Sequence, residues 1–201
     1  MGSDLSVSII YMSLDREFKT VDLIVDSQAK TKGVDAFALS LIKAEKQSRR
    51  LLTYLVYQYA WCTIGEIATL KGGLKDTRKV YFKGLLAGWN ALYPRSVEDL
   101  IGEEYPRLRG RLDEATTYRN KIFHGQLTGR DLSRAQLLAL VKDIRKWCEL
   151  FGRGATEEVG YDGCSDSFRK ARNAPALCAS YKMNLADEAA YRAFIKKYLE
   201  S

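Results

Sequence analysis

The chain has 201 residues, and 46% of them are hydrophobic, which is enough for one well-filled core and leaves little for a second. Lys and Arg number 32 against 25 Asp and Glu, so the net charge of +7 favours an acidic partner such as nucleic acid or a membrane surface. No apolar run is long enough to cross a bilayer, and the first residues lack a secretory pattern. We therefore expect a soluble, cytoplasmic protein with no membrane partner.

The four cysteines are far apart and include no CxxC pair: Cys62, Cys148, Cys164 and Cys178. With only one histidine in the chain, this spacing does not fit a zinc site. Wide spacing also suits reduced thiols that pack as small core residues better than a disulfide framework. We expect no metal and no other cofactor.

A helical period dominates the chain and predicts a mostly helical protein. Only three prolines occur, and long stretches rich in Leu, Ala, Lys, Arg and Glu carry a 3.6-residue repeat. The clearest helix begins near Val34 and reaches about Cys62, and its widened apolar face predicts more than one neighbour. Residues 71–76 contain a Gly-Gly pair without P-loop spacing, so we expect a plain loop there, followed by a helix over about 77–92.

Capping patterns mark the helices that follow. A short capped helix is predicted at residues 96–99, and a longer one starts at Pro106 and runs to His124. Ser133 opens a capping box, and the helix after it carries an apolar stripe as far as Phe151. Residues 152–184 are rich in Gly, Ser and Asp and are expected to be irregular with some short helix, whereas a last helix starts near Asp187.

The N-terminal 33 residues are ambiguous, because residues 7–11 favour a strand while Leu14, Phe18 and Val21 fit a helix. We treat residues 1–33 as a small N-terminal appendage and residues 34–201 as one helical domain. The predicted fold class is all-α: an antiparallel helical bundle with an irregular C-terminal region.

Arg119 and the single histidine, His124, lie near the end of the helix predicted over 106–124. On a helical wheel Arg119 falls inside the apolar stripe of this helix, whereas His124 lies about 140° away, on the same face as Asn120. An unpaired, desolvated guanidinium costs on the order of several kcal/mol, so Arg119 needs a partner. The partner is either a carboxylate of another helix or a bound phosphate, unless the side chain reaches out to solvent. His124 has a structural alternative too, since a cation before Gly125 complements the helix dipole.

Arg119 and His124, separated by four residues and with Asn120 directly after the arginine, resemble the Arg-x(4–6)-His motif of the HEPN superfamily. The resemblance extends coarsely over residues 34–151. It implies a metal-independent endoribonuclease, often a toxin or antiviral effector, whose active site forms across a homodimer. RNA is then the substrate, and an antitoxin or regulatory protein is a further partner. The HEPN toxins that pair with nucleotidyltransferase antitoxins carry a tyrosine two residues after the histidine. This chain has Gln126, so regulation at such a tyrosine is not expected.

The resemblance implies a role for each motif residue. His124 of one copy removes the 2′-hydroxyl proton while its symmetry mate protonates the leaving 5′-oxygen, and Arg119 stabilises the charge on the phosphate. Asn120 either orients His124 or a ribose hydroxyl, or is an ordinary solvent-facing residue. The main alternative function is a non-catalytic HEPN-like module that binds RNA, a nucleotide or a protein. A third is an unrelated helical scaffold.

Other basic and aromatic residues have a structural and a functional interpretation. Two basic clusters, residues 107–111 and 169–172, either guide RNA or form solvated faces. Residues Lys46, Arg49 and Arg50 are predicted to lie on the exposed side of the first long helix. The tyrosines of residues 54–59 have a spacing that favours packing inside the bundle over base stacking.

Overall fold

The computed structural model describes residues 3–62, 67–75, 82–123, 132–165 and 174–200. Helices occupy most of these ranges: α1 Ser3–Asp26, α2 Lys32–Tyr57, α3 Ile67–Lys75, α4 Phe82–Leu92, α5 Val97–Ile101, α6 Tyr105–Phe123, α7 Arg134–Val159, α8 Ala174–Cys178 and α9 Glu188–Phe194. A 3₁₀ turn at Gly102–Glu104 precedes α6, and a π-helical turn at Ile195–Leu199 continues α9. No strand occurs within the described ranges, and the predicted all-α fold is confirmed.

One hydrophobic core holds these helices together. Helix α2 is central and packs on α7, α1 and α4, while α6 lies mainly against α7. Side chains from several helices are almost fully buried in this core, among them Phe18, Leu51, Trp89 and Trp147. The apolar face of α2 thus has more than one neighbour, as its width predicts. Within the described ranges, no helix combines the length and the apolarity that a membrane crossing requires.

The ambiguous N-terminal segment is helical from Ser3 to Asp26, so the strand alternative for residues 7–11 is wrong. The second half of α1 buries Phe18 and Val21 in the common core. Arg145 of α7 pairs with both Asp15 and Asp22 at 2.7 Å and ties the two helices together. This part of α1 is built into the bundle, while the division of the chain at residue 33 stays a prediction.

The Gly-Gly pair lies inside α3, so the prediction of a loop over 71–75 is wrong; residue 76 lies outside the described residues. A Cβ atom on Gly73 would lie 2.9 Å from the Tyr191 ring, so the missing side chain allows α9 to pack directly on α3. A Gly-Gly pair in a sequence predicts a turn or loop. Here its small size serves a close approach between two helices.

Glycines also seat the C-terminal turn on α4. A Cβ atom on Gly84 would overlap the Leu199 carbonyl oxygen, and one on Gly88 would lie 2.8 Å from the Leu199 Cδ1 atom. The two glycines are one helical turn apart, so together they form the groove that accepts Leu199. Upstream of this turn, the Asp187 carboxylate caps α9 by accepting a hydrogen bond from the Ala190 amide at 2.8 Å, which confirms the predicted last helix.

Helix α7 begins as predicted but ends later. Ser133 and Gln136 form the expected capping box, and α7 then continues through Gly152 to Val159. The irregular region therefore does not start at residue 152. Gly154 lies inside the helix, and a Cβ atom there would be 2.6 Å from the Leu100 carbonyl oxygen, so the missing side chain lets α5 approach closely. The short capped helix at 96–99 is confirmed as α5, with a capping box between Ser96 and Asp99.

Candidate active site

The C-terminal half of α6 carries Arg119 toward α2. The predicted apolar stripe of this helix is confirmed as far as Ala115, because Leu108, Leu112 and Ala115 are fully buried; the side chains of Ile122 and Phe123 lie outside the described residues. Arg119 follows Ala115 one turn later, and 32% of its side chain remains exposed. Arg119 therefore lies at the rim of the core, with part of its side chain accessible from outside.

A carboxylate on α2 faces this guanidinium. The Arg119 Nη2 atom is 4.0 Å from the Glu45 Oε2 atom, while the other oxygen of Glu45 accepts a hydrogen bond from Arg49 at 3.0 Å. Arg49 also donates to the Leu74 carbonyl oxygen of α3 at 3.0 Å. Arg49 thus links α3 to Glu45, and Glu45 in turn faces Arg119. The side chains of Arg49, Glu45 and Arg119 are each about one third exposed. We call Glu45, Arg49 and Arg119 the rim cluster.

The contacts of the rim cluster can be compared with the partners that the sequence predicts for Arg119, a carboxylate of another helix or a phosphate. A carboxylate of another helix does lie within ion-pair range, although the shorter contact of Glu45 is to Arg49. Partly exposed ion pairs of this kind contribute up to about 1 kcal/mol to stability. A bidentate contact between a guanidinium and a phosphate is stronger. The arrangement is therefore compatible with a guanidinium that Glu45 orients and that a phosphate can engage.

Sequence reasoning missed Glu45 and misplaced two of its neighbours. The signal for Glu45 is its four-residue spacing from Arg49, which predicts an ion pair along one helix. Arg49 and Arg50 were predicted on an exposed face, yet both are half-buried and reach carbonyl oxygens of other segments. Arg50 donates to the carbonyl oxygens of Cys164 and Ser165 and so holds the loop after α7. Lys46 alone of the three is exposed as predicted, and it pairs with Glu17 of α1.

The other two predicted catalytic residues fall at the edge of the description. Asn120 follows Arg119 within the last turn of α6, but its side chain is outside the described residues. His124 comes directly after Phe123, the last residue of α6, and lies wholly outside them. Of the three, only Arg119 is described with its contacts.

The basic cluster of residues 107–111 joins two helices. Arg107 and Arg111 both contact Asp143 of α7, at 2.7 and 3.0 Å, and Arg109 pairs with Asp113 on α6 itself. Burial raises the pKa of the Asp143 carboxyl, but hydrogen bonds from Arg107 and Arg111 outweigh burial, and the net pKa is lowered. The guanidinium groups of this cluster thus have carboxylate partners on α6 and α7. Whether the cluster also guides RNA stays a prediction. The second cluster, residues 169–172, lies outside the described residues.

The tyrosines and cysteines behave as packing residues. All three tyrosines of residues 54–59 are buried, and the Tyr54 hydroxyl donates to the Val159 carbonyl oxygen at 2.7 Å, which confirms the packing prediction. Burial raises the pKa of Tyr54 to about 12. The four cysteines are free thiols; Cys62 and Cys148 are buried, and burial raises the pKa of Cys164 to about 12.

No group of three or more His, Cys, Asp or Glu side chains in the described part of the chain is arranged to hold a metal ion. Comparisons with protein-family models, with curated proteins and with solved structures find no match to this chain. The class of protein is therefore defined by its own structure: an all-α bundle whose α6 presents an arginine at the rim, beside a carboxylate of α2.

Proposed function

We propose that this protein is a metal-independent endoribonuclease of HEPN type, which cleaves RNA by attack of a 2′-hydroxyl on the adjacent phosphate. The observation that carries this proposal is the position of Arg119. It lies near the C-terminal end of α6 with a third of its side chain exposed, five positions before the single histidine. RNA supplies its own nucleophile, so the protein needs to move protons and stabilise charge.

Each residue has a task in this reaction. Arg119 binds the scissile phosphate and stabilises the negative charge that grows on it. Glu45 is a positioning residue, because its carboxylate faces the guanidinium from α2. His124 of one copy removes the 2′-hydroxyl proton, and His124 of the second copy protonates the leaving 5′-oxygen, since imidazole exists in both protonation states near neutral pH. Asn120 orients His124 or the ribose.

Two copies are part of the proposal for a geometric reason. Positions 119 and 124 are about 140° apart around a regular helix, so one helix does not aim both side chains at one phosphate. A homodimer that brings two α6 ends together removes this difficulty. A toxin or antiviral effector in the cytoplasm, held in check by an antitoxin or regulatory protein, is the biological role that fits such an activity.

The test is RNA cleavage with and without EDTA. We expect activity to persist in EDTA and to leave 2′,3′-cyclic phosphate ends. His124→Ala and Arg119→Ala should each lower the rate by about 10²–10⁴-fold while the circular dichroism spectrum stays that of the wild type. Arg192→Ala is the matched control, because Arg192 pairs with Glu188 within the last helix and is 58% exposed. A strict magnesium requirement, or full activity of His124→Ala, would contradict the proposal.

The second candidate is a non-catalytic helical module that binds RNA, a nucleotide or a protein. The observation in its favour is that Glu45 already gives Arg119 a partner within the bundle. In that case Arg119→Ala lowers the thermal unfolding midpoint, and purified wild-type protein binds RNA without cleaving it. The cleavage assay and a melting curve on the same samples separate the two candidates.

A further inference from the structure

Three exposed lysines lie on α4 and the C-terminal turn, in a part of the chain with little negative charge. Residues 67–92, which include α3 and α4, contain five Lys and Arg and a single acid, Asp76. Lys83 of α4 is exposed, and so are Lys196 and Lys197 of the C-terminal turn. Within the described ranges, no carboxylate forms an ion pair with any of these three side chains. We call Lys83, Lys196 and Lys197 the lysine face.

Close packing of α4 on the C-terminal turn brings the three lysines together. A Cβ atom on Gly84 would lie 3.0 Å from the Leu199 Cα atom, so the two backbones are in contact. Lys83 directly precedes Gly84. Lys196 and Lys197 lie within one turn of Leu199, so the Cα atoms of the lysine face are at most roughly 14 Å apart. Each ammonium group is at the end of a flexible stem, so one stretch of a partner can contact all three.

The lysine face differs from the basic residues of α6 and α9, which have acidic partners. Arg107 and Arg111 of α6 both contact Asp143. Arg192 of α9 pairs with Glu188. By contrast, the sequences of α4 and of the C-terminal turn contain no acid. Positive charge without a paired carboxylate attracts anions and raises their concentration nearby, so the lysine face favours an anionic partner.

The lysine face is connected to the rim cluster through the end of α3. Arg49 of the rim cluster donates a hydrogen bond to the Leu74 carbonyl oxygen at 3.0 Å. The neighbouring Gly73 packs on the C-terminal turn, since a Cβ atom there would lie 3.2 Å from the Ile195 Cδ1 atom. Ile195 directly precedes Lys196. The end of α3 therefore contacts both the rim cluster and the turn that carries two of the three lysines.

The chemistry of the lysine face favours a nucleic-acid backbone over a lipid surface. Ammonium groups pair with phosphates along a strand, and such contacts carry no information about base sequence. Peripheral binding to a membrane also uses apolar side chains that enter the lipid. In the part of the chain that the structure describes, the large hydrophobic side chains that are exposed are Leu23 and Ile42. These belong to α1 and α2 rather than to α4 or the C-terminal turn.

We propose that the lysine face binds the phosphate backbone of RNA, without regard to base sequence, and holds a strand that passes over the end of α3 to Arg119. The role of this surface in cleavage rests on the proposed nuclease function. The binding of RNA itself rests on the exposure of the three lysines, on their proximity, and on their lack of acidic partners among the described residues.

The first test is the binding of a short single-stranded RNA with 2′-O-methyl riboses, which lack the free hydroxyl needed for cleavage, measured by fluorescence anisotropy. The lysine-face variant replaces all three lysines: Lys83→Gln, Lys196→Gln and Lys197→Gln. It should raise the dissociation constant at least about 10-fold at low salt. The slope of log K against log salt should become shallower by about 2, because each lost phosphate contact removes about 0.7.

The matched control variant removes the same charge from other exposed positions: Lys19→Gln, Lys30→Gln and Lys142→Gln. It should keep the wild-type salt slope, since these lysines lie on α1, between α1 and α2, and on α7. Melting curves of both variants verify folding. Equal loss of RNA binding in the two variants, or a wild type that does not bind the modified RNA, would overturn the proposal.

Sedimentation with vesicles of phosphatidylcholine and phosphatidylserine tests the lipid alternative. We expect the lysine-face variant to differ from wild type in RNA binding and not in vesicle binding. If this variant loses vesicle binding and still binds RNA as wild type does, the partner is a membrane and the proposal is wrong.

Cleavage assays on unmodified RNA keep this proposal apart from the nuclease function. The lysine-face variant should raise KM and leave kcat near that of wild type, because it removes binding contacts and leaves Arg119 in place. A wild type that binds the modified RNA through the lysine face but cleaves no unmodified RNA refutes the nuclease function and leaves the binding surface standing. A lysine-face variant with the wild-type KM shows that this surface does not hold the cleaved strand.

Discussion

A methyl group at Gly84 is expected to push the C-terminal turn off α4. The added Cβ would overlap the Leu199 carbonyl oxygen and would lie 2.9 Å from the carbonyl carbon. Because these are backbone atoms, no side-chain rotation relieves the clash, and the turn over Ile195–Leu199 has to shift. Such overpacking costs about 3 kcal/mol at the upper end of its usual range, while replacing a helical glycine returns about 1 kcal/mol.

The net effect of Gly84→Ala is therefore a loss of about 2 kcal/mol of unfolding free energy. For a chain of this length that corresponds to a fall of about 4–8 °C in the thermal midpoint. Gly110→Ala is the matched control, because Gly110 lies exposed on α6 and a Cβ there meets nothing within 4 Å. Only helix propensity acts at that position, so Gly110→Ala should raise stability by up to about 1 kcal/mol.

Both variants are measured by thermal and urea denaturation, followed by circular dichroism, with the slope of the urea transition as a check on two-state unfolding. Tryptic cleavage after Lys196 or Lys197 should also be faster in Gly84→Ala, since the displaced turn exposes its backbone. If Gly84→Ala were as stable as Gly110→Ala, the close contact between α4 and Leu199 would be wrong.

Three further predictions follow from the ionisable groups. Asp143→Asn should lower the thermal midpoint near neutral pH, and this effect should shrink as pH falls below 3.8. Burial raises the pKa of Asp143, but its arginine partners lower it by more, so the stability that Asp143 adds is complete above its ordinary pKa of 3.8 and is lost as pH falls through its lowered pKa. An effect that grows in acid would contradict this. In alkali, burial raises the pKa of Tyr54 and Tyr161 to about 12, so the stability gained from keeping them neutral is complete below pH 10 and is lost as pH rises toward 12. Unfolding and tyrosinate absorbance should then appear together. Arg50→Ala should speed labelling of Cys164, because Arg50 holds the loop around that thiol; an unchanged labelling rate would count against this bracing role.

Much of the helical framework follows from short-range patterns. The capping boxes at Ser96 and Ser133, and the buried stripe of α6, depend on residues that are three or four positions apart, so a single sequence contains the necessary information. The same holds for the position of Arg119 within the apolar stripe. Whether His124 completes the site stays a prediction, because His124 lies outside the described residues.

Glycines show where local patterns fail. Local patterns predict a loop at Gly72 and Gly73 and irregular structure from Gly152 onward. Gly72 and Gly73 lie within α3, and Gly152 and Gly154 lie within α7. What matters at Gly73 and Gly154 is the element packed against them, Tyr191 in one case and the Leu100 backbone in the other. A sequence pattern along one segment contains no record of that neighbour.

The sequence by itself determined that this chain forms amphipathic helices around one core and that Arg119 lies near the end of one of them, five positions before the single histidine. Only the tertiary structure decided that Glu45 of α2 faces Arg119 of α6, and that Arg50 braces a distant loop. The physical reason is that periodicity and capping act within a few residues, whereas charge partners and close approaches depend on which helix surfaces are adjacent in space. That adjacency is set by the packing of the whole chain.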